Sequence, residues 1–289
     1  MRYLFALLAM LVSLGSIAAD NQRPQFTFTA IPDQNEAELV RRFQQVADYL
    51  SAELDVDVNY MPVKSYPAAI TAFRNNQVQL AWFGGLSGVQ ARRAVPGSEA
   101  IAQGYEDQFF KTYFIAHASA GLQPAEALTD TLRGKTFTFG SKGSTSGRLM
   151  PEFHLREAFG KAPGEIFSRV GFSGDHSRTI ALVQSGAYQV GAVNYAVWEK
   201  AVDNGEVNPD QVSVIWTTPP YADYQWTVRG DIDRQLGAGF KQRLTRALLQ
   251  LENDSILQAF PRSRFVPADN SVYRAIEETA TAIGLLDEF

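Results

Sequence analysis

The chain of 289 residues contains no cysteine. That excludes disulfides, thiolate nucleophiles and thiolate metal sites together, and also the cysteine a lipoprotein anchor needs. Histidine is scarce too, at three: His117, His154 and His176. They are widely separated, and neither HxxxH nor HExxH spacing occurs, so no metal site is expected. Basic residues are outnumbered, 26 Lys and Arg against 31 Asp and Glu, for a formal net charge of −5. A chain this acidic lacks the basic surface that a nucleic-acid backbone requires, so no nucleic acid is expected as partner. A local anion site remains compatible with the charge, because such sites also use backbone N–H groups. With 45% apolar and 20% charged residues, disorder and fibre are excluded.

The one long apolar run is at the start. Arg2 is followed by Tyr3 to Leu14, broken only by Ser13, and then by the small residues Ser16, Ala18 and Ala19. This reads as a secretory signal peptide over residues 1–19, cleaved near Ala19. The run is shorter than the roughly 20 residues that span a bilayer, and no basic stop-transfer cluster follows. A periplasmic protein is expected, stabilised by its core alone.

Beyond residue 24, strand and helix patterns alternate. Gln25 to Ala30 reads as a strand, and Glu36 to Glu53 places Leu39, Val40, Phe43, Val46, Ala47 and Leu50 on one helix face. Val56 to Met61 and Val78 to Phe83 read as further strands, with a short helix at Tyr66 to Asn75 between them. Phe109 to His117 reads as an apolar, aromatic strand. The alternation resumes after Gly121-Leu122-Gln123-Pro124 with Lys135 to Gly140, Phe167 to Phe172, Val190 to Val193 and Val212 to Thr217 as strands. Such a pattern indicates α/β architecture with mostly parallel sheets and two domains.

Three places offer binding chemistry. Gly140-Ser-Lys-Gly-Ser-Thr-Ser-Gly147 follows a strand and enters a helix. A helix start leaves N–H groups free and carries partial positive charge, and Ser144, Thr145 and Ser146 add hydroxyl donors. The loop suits a tetrahedral oxyanion, or is an ordinary N-cap. It is neither a P-loop nor GxSxG, since Thr145 is central in Gly143–Gly147. Second, His176 in Ser173-Gly-Asp-His-Ser177 either donates to an anion or caps a turn with Asp175. Third, Tyr66 and the segment Trp82-Phe-Gly-Gly-Leu-Ser87 lie beyond strand ends, where ligands of open α/β sheets collect. Gly85 and Ser87 could then close over a ligand, while Trp82 and Phe83 read as core. Asn194-Tyr195 follows another strand, and Tyr221-Ala-Asp-Tyr224 reads as a surface loop or a cleft rim. A hydrolase would need Ser144 or Ser146 with His176 and Asp175. Asp175 adjoins His176 and is badly placed to orient its imidazole toward a distant serine.

In this order, Ser65-Tyr-Pro-Ala-Ala-Ile70, the Val78–Gly85 block, Gly143-Ser-Thr-Ser-Gly147 with Pro151, Ser173-Gly-Asp-His176 and Gly191-Ala-Val-Asn194 resemble the phosphate/phosphonate/phosphite substrate-binding proteins of ABC transporters. The likeness spans nearly all of residues 25–285 and is greatest to the selenate-binding branch. It implies an α/β, two-lobe periplasmic binding protein fold of type II-like form, with the ligand cleft between lobes. It implies lobe 1 as residues 20–118 plus 217–289 and lobe 2 as 119–216. Tyr66, Gly85, Ser87, Ser144, Thr145, Ser146, His176 and Asn194 are the ligand-binding residues it implies. The family's serine–tyrosine after the first glycine block is here Ser87-Gly88. The resemblance implies no enzymatic activity and no cofactor, a monomer, and an ABC permease of the inner membrane as partner. A ligand-sensing module on the same fold is the alternative role.

Asn194 stands where relatives carry an acidic or small polar residue. A protonated oxyanion needs an acceptor, whereas a fully ionised dianion is repelled by a carboxylate and welcomes an amide donor. A selenate- or sulfate-like dianion is therefore the expected ligand, with phosphonate or phosphite as the alternative.

Overall fold

The structure is a computed structural model that describes residues 24–286. The signal peptide expected over residues 1–19 lies outside the described residues. Among the described residues no helix is long and apolar enough to cross a membrane.

Strand Gln25–Ala30 (β1) buries Phe26 and Phe28 and leads through a short turn to helix Glu36–Leu54 (α1). Asn35 starts that helix by accepting the N–H of Ala37 at 2.9 Å. Leu39, Phe43, Val46, Ala47, Leu50 and Leu54 form its buried face. Val40, expected there, is 40% exposed, because one residue turns about 100° around the helix axis. Asp57–Tyr60 (β2), Tyr66–Arg74 (α2), Leu80–Phe83 (β3), Gly85–Ala94 (α3) and Glu99–Gly104 (β4) follow.

The chain then crosses to a second sheet. Its elements are Thr112–His117 (β5), Thr136–Phe139 (β6), Met150–Phe159 (α4), Pro163–Ile166 (α5), Arg169–Phe172 (β7), His176–Gln184 (α6), Val190–Asn194 (β8), Tyr195–Asp203 (α7) and Val212–Thr217 (β9). It returns with Gln225–Val228 (β10), Ile232–Leu236 (α8), Phe240–Leu249 (α9), Asp254–Ala259 (α10), Phe265–Pro267 (β11) and Arg274–Ala282 (α11).

The first sheet has the order β11-β4-β10-β3-β1-β2 and the second β7-β6-β8-β5-β9. Neither is mostly parallel. β1 pairs in parallel with β2 and β3, and β6 with β7 and β8. β10 and β5, which follow the two crossings, run antiparallel to their neighbours because they enter from the other lobe. β5 pairs with β8 and β9, so residues 112–117 belong to the second sheet, not to the first lobe as expected. The crossings therefore fall at residues 105–111 and 218–224. They hold each other through reciprocal backbone bonds between Phe110 and Tyr221, at 2.9 and 3.0 Å, and through Asp223 N–H to the Asp107 carbonyl at 3.0 Å.

The first lobe packs an aromatic core in which Trp82, Trp226, Phe43 and Phe260 meet edge to face or tilted. The second sheet is covered on both faces, by Phe114, Phe137 and Phe139 on one and Ile115, Val183, Val193 and Trp198 on the other. The carboxyl ends of β3, β6 and β8 feed the helices that meet between the lobes.

Candidate functional site

On the first-lobe side, Ser65 caps α2 by accepting the N–H of Ala68 at 3.2 Å, and Pro67 is accommodated in the first turn. This sets Tyr66 at the helix start, where it is 1% exposed. Its hydroxyl is buried without a hydrogen-bond partner. Burial and the nearby Asp33 carboxylate hold its pKa well above the usual phenol range, while Ser144 acts in the opposite direction. A buried, unpaired polar group costs about 1–3 kcal/mol, so this hydroxyl is poised for an incoming partner.

The second lobe brings its loop directly onto this tyrosine. A Cβ on Gly143 would stand 3.1 Å from Tyr66 Cβ, an approach only glycine permits without displacement. Ser144 then caps a π-turn, Thr145–Leu149, which runs on into α4; its Oγ accepts the N–H of Gly147 at 2.9 Å. The leading N–H groups of this helix have no carbonyl ahead of them and carry partial positive charge. Ser144, Thr145 and Ser146 are all buried.

His176 begins α6, whose cap is Asp175: the carboxylate accepts the N–H of Arg178 at 2.7 Å. Nε2 of His176 lies 3.5 Å from Ser144 Oγ and 3.4 Å from Ser146 Oγ. Nδ1 accepts the backbone N–H of Asn194 at 3.3 Å, which assigns the ring proton to Nε2. Burial pushes the imidazole pKa down to about 4, against a smaller opposing pull from Asp175. At neutral pH His176 is an uncharged ring that presents Nε2–H beside the two serines.

Asp223 lies in the Tyr221–Tyr224 segment, which the sequence offers as a surface loop or a cleft rim. It is 1% exposed, and its Oδ1 accepts the N–H of Gly85 at 2.8 Å. Oδ2 is buried with no hydrogen-bond partner. Burial pushes the carboxyl pKa up to about 7, although the Gly85 N–H and the Thr145 hydroxyl favour the charged form. The only signal available in the sequence was its place in an aromatic loop just before a strand.

Other expected residues are engaged elsewhere. The Gly85 N–H is taken by Asp223, and Ser87 Oγ donates to the Gly84 carbonyl at 3.2 Å inside α3. Thr145 Oγ1 accepts the N–H of Leu86 at 3.0 Å, a bond between lobes. Asn194 Oδ1 caps α7 by accepting from Ala196 and Val197 at 2.8 and 3.3 Å, and its Nδ2 donates to Tyr224 Oη at 3.1 Å. Its amide is thus committed at the lobe interface. Gly88, where the family's tyrosine is missing, abuts Gln225: a Cβ there would stand 2.4 Å from Nε2. Among the described residues no cluster suited to a metal occurs. A groove of about 1050 Å³ on the first lobe, lined by Glu99, Lys241 and Arg246, contains none of these groups.

The centre thus combines several donors with one acceptor. Tyr66, Ser144, Ser146, His176 Nε2–H and the leading amides supply the first; Asp223 Oδ2 supplies the second. A serine hydrolase is not assembled. Asp175 bonds to Arg178 rather than to the imidazole, and Nε2 already holds the proton that a base would have to accept from serine.

The family model for the ABC transporter, phosphonate, periplasmic substrate-binding protein matches residues 28–273. A probable ABC transporter phosphite-binding protein of Prochlorococcus marinus is 42% identical over 256 residues, covering 86% of each chain. The solved structure of its Prochlorococcus counterpart with methylphosphonate superposes with a TM-score of 0.86 at 40% identity, over 91% of this chain and 99% of that one. The phosphonates-binding periplasmic protein of Escherichia coli is 24% identical over 70% of this chain and 60% of its own. These relatives are substrate-binding transport proteins rather than enzymes. By its family model and its 42% identical relative, this two-sheet chain belongs to the family of phosphonate ABC transporter periplasmic substrate-binding proteins.

Proposed function

We propose that this protein captures a small tetrahedral phosphorus oxyanion bearing one proton, of the phosphite or short alkylphosphonate class. It holds the ion between its lobes and hands it to an ABC permease of the inner membrane. The observation that carries this reading is the buried, unpartnered Oδ2 of Asp223, a carboxyl group that neighbours the Thr145 hydroxyl on the same loop as Ser144 and Ser146. A monoprotonated anion gives its proton to that oxygen and accepts hydrogen bonds from Tyr66, Ser144, Ser146 and His176.

Sulfate and selenate are fully ionised at neutral pH and have no proton to give, so the ionised form of Asp223 repels them. The dianion expected from the neutral side chain of Asn194 presupposed a site without a carboxylate. Asp223 supplies one from a distant part of the chain. The Prochlorococcus relatives, a probable phosphite-binding protein and a structure in complex with methylphosphonate, support a protonated phosphorus ligand. Secretion by a leader cleaved near Ala19 and action as a monomer in the periplasm go with this role.

Calorimetric titration with phosphite, methylphosphonate, phosphate, sulfate and selenate tests it. Phosphite and methylphosphonate should bind at least about tenfold more tightly than sulfate and selenate, a difference of about 1.4 kcal/mol. Preference for selenate or sulfate would overturn the reading.

A further inference from the structure

Four buried residues near the cleft form a closed ring of hydrogen bonds that belongs half to each lobe. The backbone N–H of His176 donates to the Asp33 carbonyl at 2.9 Å. Asp33 Oδ2 accepts from Tyr224 Oη at 2.7 Å. Tyr224 Oη in turn accepts from Asn194 Nδ2 at 3.1 Å, and the Asn194 N–H closes the ring on His176 Nδ1 at 3.3 Å. Asp33 follows β1, and Tyr224 ends the second crossing with its ring stacked on Trp82 of the first lobe, whereas His176 begins α6 and Asn194 caps α7 in the second lobe. Two of the four bonds therefore cross between lobes.

All four side chains are at most 3% exposed. The space beside Asp33, Asn194 and Tyr224 amounts to about 10 Å³, at most the room of one water. Trp82 stacks on the Tyr224 ring at 5.5 Å and fixes its direction. Buried and dry, each bond has a high cost if a partner is lost, because the group left behind is unsatisfied.

We infer that Asp33, Tyr224 and Asn194 are positioning residues that latch the lobes shut and hold the His176 donor at the ligand site. The ring acts beside the oxyanion and contributes to closure whichever oxyanion the cleft takes. It also gives the Asn194 side chain a role separate from ligand contact: its oxygen holds α7 while its nitrogen reaches across the gap.

Two variants separate latch from scaffold. Tyr224→Phe removes the shared hydroxyl alone. Asn194→Asp keeps an oxygen to cap α7 but removes the nitrogen that crosses to Tyr224. The chain has no cysteine of its own, so spin labels at Arg41→Cys on α1 and Asp203→Cys on α7, both exposed, report the distance between lobes. Pulsed electron resonance is recorded with and without saturating phosphite, and phosphite release is timed by stopped flow. In both variants the closed-to-open ratio should fall about tenfold and release should quicken correspondingly. The His176 imidazole should keep its Nε2–H nitrogen-15 signature, showing the second lobe intact. Variants that close and release like the unmodified chain overturn the latch, as does an unmodified chain that never closes. An unmodified chain that closes without responding to phosphite leaves the latch standing and overturns the phosphorus-ligand reading instead.

Discussion

Asp223 and Gly85 are joined by a 2.8 Å bond from the glycine N–H to Oδ1, which leaves Oδ2 the free oxygen of the carboxylate. The bond holds the carboxylate by the start of α3 and orients its second oxygen. Asp223→Asn converts an acceptor into a donor without changing shape. Binding of phosphite and methylphosphonate should weaken by about ten- to a hundredfold, the loss of a charged hydrogen bond worth about 1.5–3 kcal/mol. Sulfate binding should strengthen relative to phosphite. Calorimetry of both ions on both proteins checks the pair of effects, and an unchanged ratio would remove Asp223 from the discrimination.

Stability against pH should expose two opposing slopes. Asp223 is raised from 3.8 to about 7, so between those values the folded state holds a proton that the unfolded chain has released. Its contribution makes the fold less stable as pH rises through that window. His176 is lowered from 6.5 to about 4, so there the unfolded chain holds a proton the fold does not, and stability is lost as pH falls. The two contributions offset each other between about pH 4 and 6.5. Asp223→Asn should make stability rise more steeply with pH over that range, and His176→Gln should make it decline. Each slope can reach about 1.4 kcal/mol per pH unit. Urea titrations at half-unit pH steps measure both.

Thr145→Val keeps the side-chain shape but removes the hydroxyl that meets Leu86 N–H at 3.0 Å across the cleft. It also removes a hydroxyl that favours the charged form of Asp223. An N–H left unpaired in the closed state costs about 1–3 kcal/mol, so oxyanion affinity should fall by about tenfold or more. Unfolding of the ligand-free variant at neutral pH should change far less than its affinity. A variant with normal affinity would show that this bond does not contribute to closure.

Arg262 and Asp107 form a buried two-bond pair, Nε to Oδ2 at 2.7 Å and Nη2 to Oδ1 at 2.6 Å. Burial raises the Asp107 pKa in spite of the arginine. Arg262→Met strands the carboxylate beside the crossing segments and should cost about 3–5 kcal/mol of stability. Adding Asp107→Leu should recover part of that loss, as measured by denaturant midpoints.

Much of this architecture is legible in the residues. The strand, small-residue loop and helix around Ser144 announce themselves locally, as do the capped starts at Tyr66 and His176. These are short-range signals, because each cap bonds within a few positions. What escapes is whatever depends on distant pairing. Asp223 meets Gly85 across 138 positions, and no periodicity near residue 223 reveals that partner. The chain crossing escapes for the same reason: an apolar strand at 112–117 suits either sheet, and its pairing with β8 and β9 is decided by topology. Asn194 is expected as a ligand donor by analogy of position; that its oxygen caps α7 and one amide N–H goes to Tyr224 is not readable from position alone. β4 carries Glu99 and Gln103 among small residues and offers no strong alternation to find.

The connection at 218–224 joins the two sheets and carries Asp223. Because the carboxylate is fastened to the start of α3, any separation of the lobes would leave it with the first. On the proposed reading, an arriving ion would meet the acceptor for its proton on the first lobe before the serines and the imidazole of the second lobe enclose it. Rejection would then precede enclosure, and an ion without a proton would be turned back without a cycle of closing and reopening.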